Sequence, residues 1–511
     1  MKLITFCFST FLSSTLFGEL SMPNIFGDHM VLQSGKPVKL WGKANPNDQL
    51  TAIFGEYQTS TRTDTTGNWS MVLPKMKYQS EGSELLVKTK KGKLVFKDVV
   101  VGEVWHASGQ SNMGWALRHT GEQGEAAIKT SDVSAIRFFK ANLTTAASEQ
   151  NDVGGAWRVS HPEVSANFSA VAYHFALKLH EELDVPVGIV QTAWGGKPVE
   201  TFTRREALAA IPGGKRRLNV HDKSVADYDE AKDRLRFISQ MKKWEENKKK
   251  WEATPPAERV GKLPRRPRAP QNPALIAGRP ATIWNGMVAP LAGYTQRGAI
   301  WYQGESNRHE PDDYGSLFTA MIEDWREVWE DDFRYLWVQL ADFTQPVTKP
   351  GTNDGWAVVQ EYQRRTLSLP KTGMAVINDI GDAKDIHPKN KKDVGERLAR
   401  WALADDYGKD VVKSGPLYQT HKVEGSGVIV SFEFSNGLKS RDGKPLKHFE
   451  IQSETDKWYW AEAVIKGEVV VVSHKEVKNP KAVRYAWAAN PAGSNLVNGE
   501  GLPASLFTTE W

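Results

Sequence analysis

Four short polar segments of this chain carry the residue types that acyl transfer uses. They are Ser108-Gly109-Gln110-Ser111-Asn112-Met113, Ala193-Trp194-Gly195-Gly196, Tyr302-Gln303-Gly304-Glu305-Ser306-Asn307 and Asp382-Ala383-Lys384-Asp385-Ile386-His387-Pro388. Acyl transfer needs a hydroxyl nucleophile, a base to take its proton, and fixed donors for the oxyanion that develops. Ser111 offers the hydroxyl, placed between small and polar residues, and His387 offers an imidazole. Gly195 and Gly196 let backbone N–H groups approach a reacting oxygen, and Gln303 and Asn307 bring side-chain amides that donate. The serine does not sit in a GxSxG elbow, so the α/β-hydrolase pattern is not met. Each segment alone is an ordinary turn. The order serine, glycine, amide, histidine has meaning only as a set.

These segments follow or lie among runs that read as strands: Val99–His106, Val185–Thr192, Gly298–Tyr302, Tyr335–Leu340 and Met374–Asn378. Continuous apolar strands alternating with helical patterns predict an α/β domain with a buried, mainly parallel sheet. Ligands of such sheets bind outside the carboxyl ends of the strands, where the four polar turns converge. Behind His387, the spacing predicts a helix with Asn390 as N-cap and Val394, Leu398 and Trp401 on one face. That helix would anchor the imidazole.

The surrounding texture divides the chain. Residues 21–98 read as an N-terminal β-rich domain, with runs such as Pro37–Trp41 and Glu84–Lys88 and turns such as Thr66-Gly67-Asn68. Residues 99–410 form the catalytic domain, interrupted at about 205–272 by a helical hairpin and a Pro/Arg-rich extended linker. Residues 411–511 return to β texture, as in Gly427–Phe432 and Glu468–Ser473. Residues 1–20 read as a secretory signal peptide: Lys2 precedes the mostly apolar stretch Leu3–Phe17, too short to be a spanning anchor. The expected location is therefore secreted or periplasmic, with no membrane span after signal removal. The only cysteine, Cys7, lies inside this leader, so the mature chain has no disulfide, thiol nucleophile or Cys-ligated metal.

Composition narrows the classes further. At 511 residues, 40% hydrophobic and 25% charged, the chain is neither disordered, collagenous nor a coiled coil. Residues 231–268 hold thirteen Lys/Arg against five Asp/Glu, so the net charge of +5 belongs to one segment. A solvated helical excursion accounts for that better than a polyanion site, and no nucleic-acid reading motif is present. The twelve His show no HExxH pattern, and neither a P-loop nor a dinucleotide fingerprint occurs, so neither metal nor cofactor is expected. His106, His174 and His180 read as core or surface residues. Among nineteen Trp, positions 105, 115, 194, 284 and 301 neighbour the polar segments, where burial outweighs sugar stacking. Glu200 reads as a structural partner of a nearby turn.

GQSNM at 109–113, QTAWGGKPVETF at 191–202, WYQGESN at 301–307 and DIHPKNKKDVGERLA at 385–399 resemble the motifs of the sialate O-acetylesterase family, within the SGNH hydrolase superfamily. The resemblance continues through Trp284–Met287 and from Trp458–Glu462 to Gly501–Ser505. It implies an SGNH-type three-layer α/β/α hydrolase domain with a mainly parallel sheet, flanked by the two β-rich domains. It also implies a metal-free serine esterase acting on an acetylated carbohydrate. Matched by position, Ser111 is the nucleophile and His387 the general base. The oxyanion donors are the N–H of Ser111, an N–H at Gly195 or Gly196, and a third-block amide. The superfamily places an asparagine in a GxND turn there; this chain has QGESN, so Gln303 or Asn307 stands in, with Gln303 favoured. Glu305 becomes a buried organiser of that turn. The usual Asp three residues before the histidine is Lys384 here. Asp385 is favoured as the carboxylate that orients His387; Asp382 and a backbone carbonyl are the alternatives. Two other readings compete: esterase action on acetylated xylan or another polysaccharide, and a non-catalytic carbohydrate-binding protein.

Overall fold

The computed structural model describes residues 19–510. The signal peptide, apart from residues 19 and 20, and Cys7 lie outside the described residues. Seven strands form the sheet that carries the polar turns: β1 (Lys93–Gly109), β2 (Val133–Lys140), β3 (Trp157–Ser160), β4 (Val187–Gln191), β5 (Gly298–Tyr302), β6 (Arg334–Val338) and β7 (Thr372–Ala375). Their order is β7-β6-β5-β1-β4-β2-β3, parallel throughout except for β3, which runs antiparallel to β2. Strands β4, β5 and the second half of β1 are buried at every position, as continuous apolar strands covered on both faces must be.

The helices that matter here are α1 (Ser111–Gly114), α2 (Ala170–Leu183), α3 (Tyr314–Trp329), α4 (Gly355–Arg365) and α5 (Lys392–Asp405). Successive strand residues point to opposite faces. On β1, Trp105 meets Phe175 of α2, while the next residue, His106, meets Trp325 of α3. Helices therefore cover both faces of the sheet. Helix α5 packs closely on α2, where Gly395 brings its backbone against Val171 and His174. Val394, Leu398 and Trp401 are buried, each contributing about 1.5–3 kcal/mol of apolar burial. Helix α5 begins one residue later than predicted, with Lys391 as N-cap. Asn390 still closes the turn, since its Oδ1 accepts from the N–H of Asp393 and its Nδ2 donates to that carboxylate.

The N-terminal region is a set of short antiparallel strands, as its sequence predicts, but its boundary falls inside a strand. The division at 98/99 cuts β1, which is one continuous strand. Its first half pairs with the strands Gln79–Lys88 and Val31–Gln33, and its second half with β4 and β5. Glu103, in the middle of β1, is fully buried. It accepts from Arg297, Tyr407, Tyr78 and Gln33, so one carboxylate gathers donors from the N-terminal region and from the α/β sheet. The C-terminal region forms two four-stranded sheets with a core of their own, which includes Ala357 and Val358 of α4. The insertion holds the helices Arg205–Ala209, Pro212–Ala226 and Glu230–Ala253, and the last buries no residue. The linker behind it folds back, with Arg259 over the Trp251 ring and the Pro264 carbonyl accepting from Trp244. Among the described residues, no helix is long and apolar enough to cross a membrane.

Candidate active site

Strand β1 ends at Gly109, and Ser111 opens the single turn α1. Gly109 has φ +130°, and a Cβ there would lie 2.3 Å from the carbonyl oxygen of Tyr302. Only glycine lets β1 and β5 stay paired to this point and then release the chain sharply. The 193–196 turn docks on the same place through the Trp194 N–H, which donates to Gly109 O at 2.9 Å. A Cβ on Gly195 would stand 3.2 Å from the Ser111 Cβ, so glycine allows that approach. No acceptor among the described residues takes the N–H of Ser111, Gly195 or Gly196.

The loop after β7 brings in His387. Its Nε2 lies 2.9 Å from Ser111 Oγ, and its Nδ1 lies 3.4 Å from Asp385 Oδ1. The same Asp385 oxygen accepts the backbone N–H of His387 at 2.9 Å, so it closes the turn and faces the ring at once. Asp382 Oδ1 is occupied by the N–H groups of Lys384 and Asp385. Trp115 stacks on the imidazole with ring centroids 4.2 Å apart and planes 10° from parallel. Burial holds the His387 pKa below its usual value, Lys391 adds to that effect, and Asp385 opposes it. A neutral imidazole with its Nδ1–H toward Asp385 presents Nε2 as an acceptor for the serine proton.

The third block differs from the expectation drawn for it. Gln303 donates from Nε2 to Asn307 Oδ1 at 2.7 Å and to Lys197 O at 3.3 Å. Asn307 donates to Glu200, and its Oδ1 also accepts the N–H of Val199. Both amides are buried and spent within the protein, so neither Gln303 nor Asn307 is left to donate to an oxyanion. The physical reason is Glu200, a buried carboxylate that claims the Asn307 amide and is itself held by Arg217. Glu305 is buried, as expected of an organiser, and accepts from Asn112 Nδ2 at 2.6 Å. Burial raises its pKa.

Sequence reasoning overlooked Asn112, Lys391 and the role of Trp115. All three sit inside or beside the quoted blocks, so a polar residue next to each reactive one was the available signal. Trp105, Trp284 and Trp301 are core residues, as are His106 and His174. A cavity of about 400 Å³ adjoins the third block, lined by Pro198, Glu200, Arg217, Arg279, Ser306 and Asn307 among others. It reaches the nucleophile turn through Ser306, whose N–H lies 3.3 Å from Gln110 Oε1.

No protein-family model matches the chain. Individual proteins do. A carbohydrate acetylesterase from Xanthomonas citri superposes with a TM-score of 0.80 at 31% identity, covering 96% of this chain and 100% of that one. The sialate O-acetylesterase of Rattus norvegicus is 27% identical over 91% of this chain and 89% of its own length. That of Homo sapiens is 24% identical over 88% and 84%. End-to-end similarity of this kind, on a fold that gathers the serine and histidine motifs into one site, makes the chain an esterase belonging to the sialate O-acetylesterase family of carbohydrate esterases.

Proposed function

We propose that this chain is an exported SGNH-type serine esterase that removes O-acetyl groups from carbohydrates, sialic acid-type esters foremost, through an acetyl-serine intermediate. The observation that carries the reading is the 2.9 Å approach of Ser111 Oγ to His387 Nε2, with the Asp385 carboxylate on the opposite ring nitrogen. His387 takes the hydroxyl proton as Ser111 attacks the acetyl carbonyl. The N–H groups of Ser111 and Gly195, with Gly196 beside them, receive the oxyanion. Collapse of the tetrahedral intermediate expels the sugar oxygen, which regains the proton from His387. Water, deprotonated in turn by His387, then frees acetate from Ser111. Asp385 holds the ring and favours the imidazolium without taking its proton. The cavity beside Ser306 takes the sugar. Export rests on the apolar leader at Leu3–Phe17.

Acetate release from O-acetylated sialosides and from acetylated xylan tests the substrate. Higher kcat/KM on sialosides is expected. Release from xylan alone moves the assignment to a polysaccharide esterase. No release from either, with p-nitrophenyl acetate also untouched, leaves a carbohydrate-binding protein.

The pH profile follows from the imidazole. Only neutral His387 can act as base, and burial places its pKa below the ordinary 6.5. Activity is therefore full above that pKa and lost as pH falls through it. The acid limb of kcat/KM should have its midpoint below 6.5; a midpoint above that value contradicts a buried histidine base.

A further inference from the structure

One side chain joins the two halves of the Ser111–His387 pair. Asn112 follows Ser111 in the chain, and Ile386 precedes His387. Asn112 Nδ2 donates to the Ile386 carbonyl at 3.0 Å and to Glu305 Oε1 at 2.6 Å. Its Oδ1 accepts from Lys391 Nζ at 2.5 Å. Lys391 is 0% exposed, Asn112 2% and Glu305 5%. An ammonium can only donate and a backbone carbonyl can only accept, so the amide has a single orientation. Lys391 and Glu305 form no ion pair within 4 Å; the Asn112 amide lies between them, its oxygen toward the cation and its nitrogen toward the carboxylate. Buried charges are costly unless partnered, so each charge holds the amide in place. The Tyr302 ring, 5.2 Å from Lys391 Nζ, closes the site from β5.

We propose that Asn112, clamped between Lys391 and Glu305, is the positioning residue that keeps Ser111 and His387 at proton-transfer distance. The inference rests on the catalytic pair proposed above. It ties the nucleophile turn to the histidine loop by one hydrogen-bonded bridge, with the third block as its base. Lys391 has a second effect. Its cation disfavours the imidazolium of His387, against the Asp385 carboxylate that favours it. Those two, with Ser111 Oγ and the Trp115 ring, are the groups facing the imidazole. Burial draws the Lys391 pKa down to about 7.

The test measures kcat and KM for p-nitrophenyl acetate across pH in wild type, Ser111→Ala, Asn112→Ala, Lys391→Met and the Asn112/Lys391 double variant. Misplacement by 1 Å costs about 10²-fold, so Asn112→Ala and Lys391→Met should each lower kcat by roughly 10- to 100-fold with KM nearly unchanged. The double variant should be no worse than Asn112→Ala, because both changes break one bridge. Lys391→Met should also move the acid limb to higher pH, whereas Lys391→Arg, which keeps the cation, should leave it in place. Asn112→Ala within about threefold of wild-type kcat, well short of that loss, overturns the proposal. So do additive losses, or an acid limb unmoved by Lys391→Met. If Asn112→Ala does not fold by near-ultraviolet circular dichroism, the Met and Arg profiles decide alone: different limbs support the bridge and identical limbs refute it. Activity surviving in Ser111→Ala means the catalytic pair is wrong. Activity lost there but kept in Asn112→Ala sinks only the bridge.

Discussion

Ser111→Ala should lower kcat for short acyl esters by roughly 10³-fold or more, because the covalent route disappears while the surrounding donors remain. The change removes one oxygen from a half-buried position. Its only side-chain hydrogen bond is the one to His387, so the fold should be unaffected. The measurement is steady-state hydrolysis of p-nitrophenyl acetate at matched folded fraction, with acetate release from an acetylated glycan beside it. Retention of more than about a tenth of wild-type kcat is incompatible with a serine nucleophile. An equal fall in kcat and kcat/KM would place the lost interaction in the transition state rather than in binding.

Asp385→Asn should lower kcat by roughly 10²- to 10⁴-fold, the upper figure being that of a serine protease aspartate. The asparagine oxygen can still accept the N–H of His387, so the turn survives. What is lost is the charge 3.4 Å from Nδ1, which sets the tautomer and stabilises the imidazolium. That distance is longer than a good hydrogen bond, and such contacts tighten when substrate binds. Asp382→Asn should stay close to wild type, since its carboxylate is committed to the N–H groups of Lys384 and Asp385. If only Asp382→Asn is crippled, the carboxylate is Asp382. If neither is, Ser111 and His387 work as a dyad.

The site was legible where its chemistry is local. Ser111 and His387 stand in blocks whose residue types serve one reaction, and the strands that deliver them read as apolar runs. Where partners come from distant segments, the sequence was silent. Gln303 and Asn307 look like free donors in the chain, yet Glu200 and the Val199 N–H commit them. The five donors of Glu103 reach it from residues 33, 78, 297 and 407, a convergence that no spacing announces. Asn112 reads as a small polar neighbour of the nucleophile; its role emerges only when Lys391 and Ile386 arrive from the far end of the domain. The 98/99 boundary followed a change in texture. Texture reports which faces are covered, whereas continuity of a strand depends on having partners along its whole length.

That continuity limits how such a protein can change over evolutionary time. An N-terminal region joined by a tether could be lost, swapped or duplicated without touching the catalyst. Here the strand Lys93–Gly109 is shared property: its first half completes one sheet and its second half aims the serine two residues beyond it. Removing residues up to 98 would strip the partners from the first half, leave bare strand edge, and uncover the Tyr78 and Gln33 side of Glu103. The N-terminal strands and the nucleophile turn are therefore inherited as one piece. The exposed helix Glu230–Ala253, which buries none of its residues, is where length and charge can drift freely.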